Sequence, residues 1–221
     1  MILFEQVTKA YGNGVVALED LSFAVEKGEF VFLSGDCGAG KTTVLKLLAM
    51  EEFPTSGRIV VCGCDSGTIR RRGIAGLRRK LGIISQDFGL LTDRTAVENV
   101  AFAIRAIGTP ERQVLGRAFD ILAETGLGHK SEVHPDCLSG GEQWRLRIAR
   151  AMANDPYLLL ADDPFGNLDP DAASEIFALL QTINLRGTTI LAATHETEFL
   201  RSIRERKIHL QRGRLVDGEV H

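Results

Sequence analysis

Four short runs stand out in the hydrophobic pattern: residues 30–33, 81–84, 157–161 and 188–193 are apolar almost without interruption. Runs of that length without alternation predict strands buried on both faces, as in a parallel sheet covered by helices. Between them the period changes. Residues 41–50 are apolar at Val44, Leu45, Leu47 and Leu48, and Ala172, Ile176, Leu179 and Ile183 recur at helical spacing. Asp169 is placed to cap the second of these helices, with Pro170 in its first turn. Strands alternating with helices predict an α/β fold with a mostly parallel core sheet. Two regions depart from that rhythm. Residues 1–30 and 57–63 read as short strands with turns at Gly12-Asn13-Gly14 and Lys27-Gly28, which predicts an antiparallel β lobe. Residues 96–107 and 111–125 read as helices, which predicts a helical lobe inserted into the core over approximately 87–140. Residues 1–221 are therefore expected to form a single domain.

Composition narrows the class. The chain has 221 residues, 44% hydrophobic and 25% charged, as ordinary soluble domains have. No apolar run reaches the roughly 18 residues of a membrane span. Met1-Ile2-Leu3-Phe4-Glu5 lacks the basic-then-apolar pattern of a secretory leader, so a cytosolic location is expected. The net charge of −3 argues against a general nucleic-acid binder. The cytosol would keep Cys37, Cys62, Cys64 and Cys137 reduced. Cys62 and Cys64, two apart on an expected strand, would share a face, but no second Cys or His pair lies near them in sequence to complete a metal site.

The chemistry begins at Gly35-Asp36-Cys37-Gly38-Ala39-Gly40-Lys41-Thr42-Thr43, between an expected strand and an expected helix. Glycines there let the backbone wrap phosphates with its N–H groups, and the helix N-terminus adds positive potential. Lys41 would reach the β- and γ-phosphates of ATP, and the Thr42 hydroxyl would ligate Mg²⁺. The run Leu158-Leu159-Leu160-Ala161-Asp162-Asp163 delivers carboxylates to a strand's C-terminal end, where open α/β sheets bind ligands. Asp162 would hold Mg²⁺ directly or through water, and Asp163 is placed to polarise the attacking water. A second glycine-rich stretch, Leu138-Ser139-Gly140-Gly141-Glu142-Gln143, precedes an amphipathic helix with Trp144, Ile148 and Met152 on one face. Ser139 and the N–H groups of Gly140 and Gly141 would make an anion site there; an ordinary N-cap with an acidic first turn is the alternative.

Together and in this order, these motifs resemble the ATP-binding cassette (ABC) ATPases along essentially the whole chain. The resemblance implies an ATP- and Mg²⁺-dependent ATPase working as a homodimer. Each ATP would lie between the phosphate loop of one copy and Ser139, Gly140, Gly141 and Glu142 of the other. Tyr11 would stack on adenine. Gln86 would sense Mg²⁺ and link to a transmembrane partner, with Leu90 and Leu91 helping to form that partner's groove. Asp169 would speak across the dimer, and His195 would contact the γ-phosphate. The stretch Ser85-Gln86-Asp87-Phe88-Gly89-Leu90-Leu91-Thr92-Asp93-Arg94-Thr95, followed by Glu98-Asn99-Val100-Ala101-Phe102, is most similar to the cell-division branch. That branch works with a four-helix membrane protein at the cytoplasmic face of the membrane. Cassettes for lipoprotein release and macrolide export share much of it.

Three features depart from the family pattern. Asp163 stands where a Glu is usual, which draws the carboxylate back by roughly 1.5 Å, about one C–C bond. A misplacement of ~1 Å can cost about 100-fold in rate, so ATP binding with slow hydrolysis is expected. Trp144 stands where Gln or Lys is common. Arg70-Arg71-Arg72 and Arg78-Arg79-Lys80 form a basic cluster, either a solvated face or a membrane-proximal one.

Overall fold

The computed structural model describes residues 1–12, 14–85, 89–166, 168–195, 200 and 203–216. Among them, two sheets carry the fold. The first is antiparallel, with β1 (Ile2–Ala10), β2 (Val16–Val25), β4 (Ser56–Val61) and β5 (Cys64–Asp65) in the order β2-β1-β4-β5. The second runs β10-β9-β3-β8-β7-β6, built from β3 (Phe30–Ser34), β6 (Leu81–Ile84), β7 (Leu158–Asp162), β8 (Thr189–Thr194), β9 (Arg206–Gln211) and β10 (Arg214–Leu215). From β9 to β6 its pairs are parallel, and only β10 is antiparallel.

The uninterrupted apolar runs are explained by what lies on either side of this sheet. Val31 and Leu33 of β3 face one cluster, shared with α1 (Lys41–Leu48) and the antiparallel sheet, while Phe30 and Phe32 face another, shared with α6 (Pro170–Leu185). β7 divides the same way, Leu158 and Leu160 against Leu159 and Ala161, and so does β8, Leu191 and Ala193 against Ile190 and Ala192. A strand with period 2 and two apolar faces must read as continuously apolar. A third cluster joins α3 (Ala96–Ala106), α4 (Glu111–Glu124) and α5 (Gly140–Ala151). Helix α5 fastens it to the sheet, with Leu146 and Ala149 in the helical cluster and Trp144 and Ile148 in the α6 cluster. α2 (Arg71–Arg78) lies outside the helical cluster.

Three expectations are corrected. The buried stripe of α6 is Ala173, Ile176, Leu180 and Ile183, with Ala172 and Leu179 part-exposed. Spacings of 3, 4 and 3 turn the contact face one residue from the predicted one. Tyr157 precedes β7 and is 57% exposed. Cys62 is no strand residue: it has φ 49° in the turn between β4 and β5, so it does not share a strand face with Cys64. Its Sγ instead lies 3.4 Å from Met1 Sδ. Burial raises the Cys62 thiol pKa, which disfavours the thiolate.

The topology gathers chemistry at one edge. β3, β8 and β7 are neighbours, with Ser34 opposite Thr194 and Asp162 opposite Ala193. The glycine-rich loop, the paired aspartates and Thr194-His195 all leave this sheet at its carboxyl end.

Candidate active site

The loop after β3 is shaped for close approach. Gly35 has φ 148°, and a Cβ there would sit 2.2 Å from the Leu210 carbonyl oxygen. Gly40, at φ 105°, serves as the α1 N-cap. Lys41 is 8% exposed, and its Nζ donates to the carbonyls of Gly35 (2.6 Å) and Asp36 (2.9 Å). Those acceptors orient the ammonium but do not neutralise it, and no carboxylate pairs with it among the described residues. The first turn of α1 carries no acidic side chain. A buried cation at a helix N-terminus without a competing acid favours a phosphate. Cys37 and Gly38 are exposed and Ala39 is buried, its N–H donating to the Asp36 carbonyl.

Thr42 Oγ1 donates to Asp162 Oδ2 at 3.1 Å, joining the start of α1 to the end of β7. A hydroxyl and a carboxylate beside a phosphate site form a hard oxygen donor set of the kind Mg²⁺ takes. Tyr11 is part-buried; its hydroxyl donates to Glu52 Oε1 (3.1 Å) and lies 3.4 Å from Thr43 Oγ1. Lys9 Nζ lies 5.0 Å from the ring centroid and 3.0 Å from Glu52 Oε2. Burial would raise the Glu52 pKa, but the hydrogen bonds from Lys9 and Tyr11 outweigh it and lower it.

Asp163 follows β7 with φ 50°, and its N–H donates to the Ala193 carbonyl. Thr194 Oγ1 donates to Asp163 Oδ1 at 3.2 Å, and His195 Nε2 lies 3.1 Å from Oδ2. Asp163 and His195 are thus in direct contact. Gln86 lies outside the described residues.

The second glycine-rich stretch starts α5. Ser139 is its N-cap in a reciprocal capping box: Ser139 Oγ accepts from the Glu142 N–H, and Glu142 Oε2 accepts from the Ser139 N–H. Lys130 Nζ lies 2.6 Å from Glu142 Oε1. The Lys130 side chain first, and the Ser139 N–H second, lower the Glu142 carboxyl pKa. Gln143 Nε2 ties this turn to the carbonyls of Pro135 and Leu138. Ser139, Gly140, Gly141 and Glu142 line a cleft of about 550 Å³ together with Asp169. Asp169 caps α6, its Oδ1 accepting from the Ala172 N–H. Thr42 and Asp162 line a different cleft.

Motif reading missed three partners: Thr194 behind Asp163, the Lys9–Glu52 pair around Tyr11, and Lys130 behind Glu142. Only Thr194, a polar residue closing an apolar run beside His195, left a visible signal.

A glycine-rich loop at the carboxyl end of a parallel sheet, whose Thr42 meets Asp162 at the end of β7, defines a phosphate-loop nucleoside triphosphatase. Within that class the chain belongs to the ABC transporter family, whose model matches residues 18–166. It is 44% identical over 219 residues to the cell division ATP-binding protein FtsE of Bacillus subtilis (strain 168), covering 99% of this chain and 96% of that protein. It is 41% identical to FtsE of Escherichia coli (strain K12) over 221 residues and the full length of both. Among solved structures it is similar to a dimeric ATP-binding cassette in a post-hydrolysis state bound to ADP and Pi, with TM-score 0.87, 31% identity and coverage of 99% and 97%. The chain is an ABC-type ATPase. No helix among the described residues is long and apolar enough to cross a membrane.

Proposed function

We propose that this chain is the ATPase subunit of an FtsEX-like membrane complex, in which ATP-driven closure of two copies drives a transmembrane partner that controls cell-wall hydrolysis during division. The observation that carries the reading is the similarity to FtsE proteins, 41–44% identical along essentially the whole chain. The dimeric ATP-binding cassette bound to ADP and Pi to which the chain is similar supports a second copy supplying the Ser139–Asp169 turn to each nucleotide. The complex would sit at the cytoplasmic face of the membrane as a homodimer, with no nucleic acid involved.

In this reading, Lys41 and the N–H groups of the 35–42 loop hold the phosphates. Tyr11 stacks on adenine, and Thr43 supports the loop. Thr42 and Asp162, with Gln86, would hold Mg²⁺, which when bound would supply positive charge against the phosphates. Asp163 accepts a hydrogen bond from the attacking water, and His195 steadies the γ-phosphate. Ser139, Gly140, Gly141 and Asp169 act on the partner copy's nucleotide. Glu142 keeps that turn in shape.

The membrane partner is an FtsX-like protein that docks beside residues 86–91. Supporting this is a groove of about 1120 Å³ lined by Leu91, Phe102 and Ile107 together with Arg71, Arg79 and Arg150. An amphipathic helix with acidic residues suits it. Asn99, fully buried, braces the wall by accepting from the Leu91 N–H and donating to the carbonyls of Leu91, Arg94 and Thr95. Arg78 is otherwise engaged, on the Ala49 and Met50 carbonyls at the end of α1. Co-purification with the product of the neighbouring gene tests the assignment. A four-span partner with a large external loop is expected, and a soluble partner overturns it.

Asp163 also favours a second reading, a slowly hydrolysing clamp that stays closed on ATP. Asp163→Glu is expected to raise turnover by about 10- to 100-fold, measured against Lys41→Ala as blank. A fall on that substitution removes the clamp reading.

A further inference from the structure

We propose that Thr194 is a positioning residue that makes the short side chain of Asp163 usable for hydrolysis. The inference rests on Asp163 being the group that polarises the attacking water.

Asp163 is held from several directions. Its backbone N–H donates to Ala193, which ties the residue to the end of β8 at φ 50°. On the side chain, Thr194 Oγ1 holds Oδ1 at 3.2 Å and His195 Nε2 holds Oδ2 at 3.1 Å. The space for the carboxylate is kept by Gly166, where a Cβ would stand 2.3 Å from Asp163 Oδ2 and 2.9 Å from Cγ. Thr194 itself is 2% exposed and belongs to β8, whose neighbours β3 and β7 fix its position. Its hydroxyl is therefore a rigid reference point, whereas His195 has a side chain 48% exposed.

An aspartate has two side-chain torsions. One hydrogen bond on each oxygen fixes both, so the carboxylate plane is set by the strand end and the histidine together. A glutamate has a third torsion, and its carboxylate reaches roughly 1.5 Å further, beyond the hydroxyl that holds Oδ1. Dependence on Thr194 should therefore be specific to the aspartate. The hydroxyl offsets the short side chain by removing its freedom to turn away from the water.

The test is single-turnover hydrolysis of γ-labelled MgATP by the purified chain, which reads slow rates, with the ATP concentration for half-maximal rate determined alongside. Thr194→Val keeps the shape and removes the donor. The maximal rate is expected to fall about 10- to 100-fold while the half-saturating concentration stays within about twofold. Thr194→Ser restores the hydroxyl and should return the rate to within about threefold of wild type. In the Asp163→Glu background, Thr194→Val should cost less than about threefold. Thr194→Ala is a second donor deletion, and melting temperatures show that each variant is folded. An unchanged rate in Thr194→Val, equal losses in the two backgrounds, or a serine variant as slow as the valine one overturns the inference. Asp163→Asn separates the two levels. If it hydrolyses like wild type, the catalytic reading of Asp163 falls. If it is inactive while Thr194→Val is unaffected, only the role of Thr194 falls.

Discussion

Helices α1 and α5 both begin in a glycine-rich turn, yet their first turns are built in opposite ways. The first turn of α1 contains no acidic residue, and Lys41 is buried with no carboxylate partner among the described residues. At α5 the chain supplies its own acid: Glu142 closes a capping box with Ser139 and is itself neutralised by Lys130. The first turn is electrostatically incomplete and needs an anion. The second is already satisfied within its own chain, and in the proposed function it would add Ser139 and the N–H groups of Gly140 and Gly141 to a nucleotide held elsewhere. The difference separates two jobs that similar sequences would suggest are shared. Under the proposed function, binding would belong to the α1 turn, and the α5 turn would act on turnover through closure of the dimer.

The largest expected effect sharpens that division. Lys41→Ala removes the one buried cation of the α1 turn. It should weaken ATP binding by at least about 100-fold, a charge-assisted contact being lost, and take hydrolysis to background, as read by fluorescent-nucleotide titration and phosphate release. Gly141→Asp places a carboxylate in the α5 turn, where it would repel the partner copy's nucleotide. Turnover should fall about 10- to 100-fold, while ATP binding to the isolated chain stays within about threefold. If Gly141→Asp weakens binding as severely as Lys41→Ala, the two turns are not divided in this way.

What could be read along the chain was what depends on neighbours in sequence. The strands at 30–33 and 81–84 were legible because both faces of the sheet are covered. The phosphate loop was legible because strand, glycines and lysine are contiguous. The Asp169 cap was legible because its acceptor and donor are three residues apart. The exact stripe of α6 was not, since Ala172 and Ala173 are chemically identical and only the angle of packing chooses between them. Nor was the Cys62 turn, because a short hairpin looks like a continuous strand when its turn residues are small. The supports of the site depend on topology. Thr194 meets Asp163 across 31 residues because β7 and β8 pair, and Tyr11 meets Glu52 across 41 residues. A local pattern marks Thr194 as a polar strand end, but it names neither residue's partner.

The smallest effect probes why the α5 turn is self-sufficient. Lys130 and the Ser139 N–H lower the Glu142 pKa from its ordinary 4.5. Its folded-state pKa lies below the unfolded one, so the stabilisation is complete above about pH 4.5 and is lost as pH falls through the lower folded value. Glu142→Ala should therefore cost about 0.5–1 kcal/mol at pH 7, a melting-temperature decrease of about 1–4 °C for a chain of this size. The gap should narrow as the pH is lowered, down to that between Glu142→Gln and Glu142→Ala once the wild-type carboxyl is protonated. Glu142→Gln keeps an acceptor for the Ser139 N–H but loses the charge, so it should fall between the two at pH 7. Melting curves of the three chains over descending pH distinguish the causes. A gap that does not narrow in acid means the charge of Glu142 contributes little, and the electrostatic contrast between the α1 and α5 turns is then smaller than their ion pairs suggest.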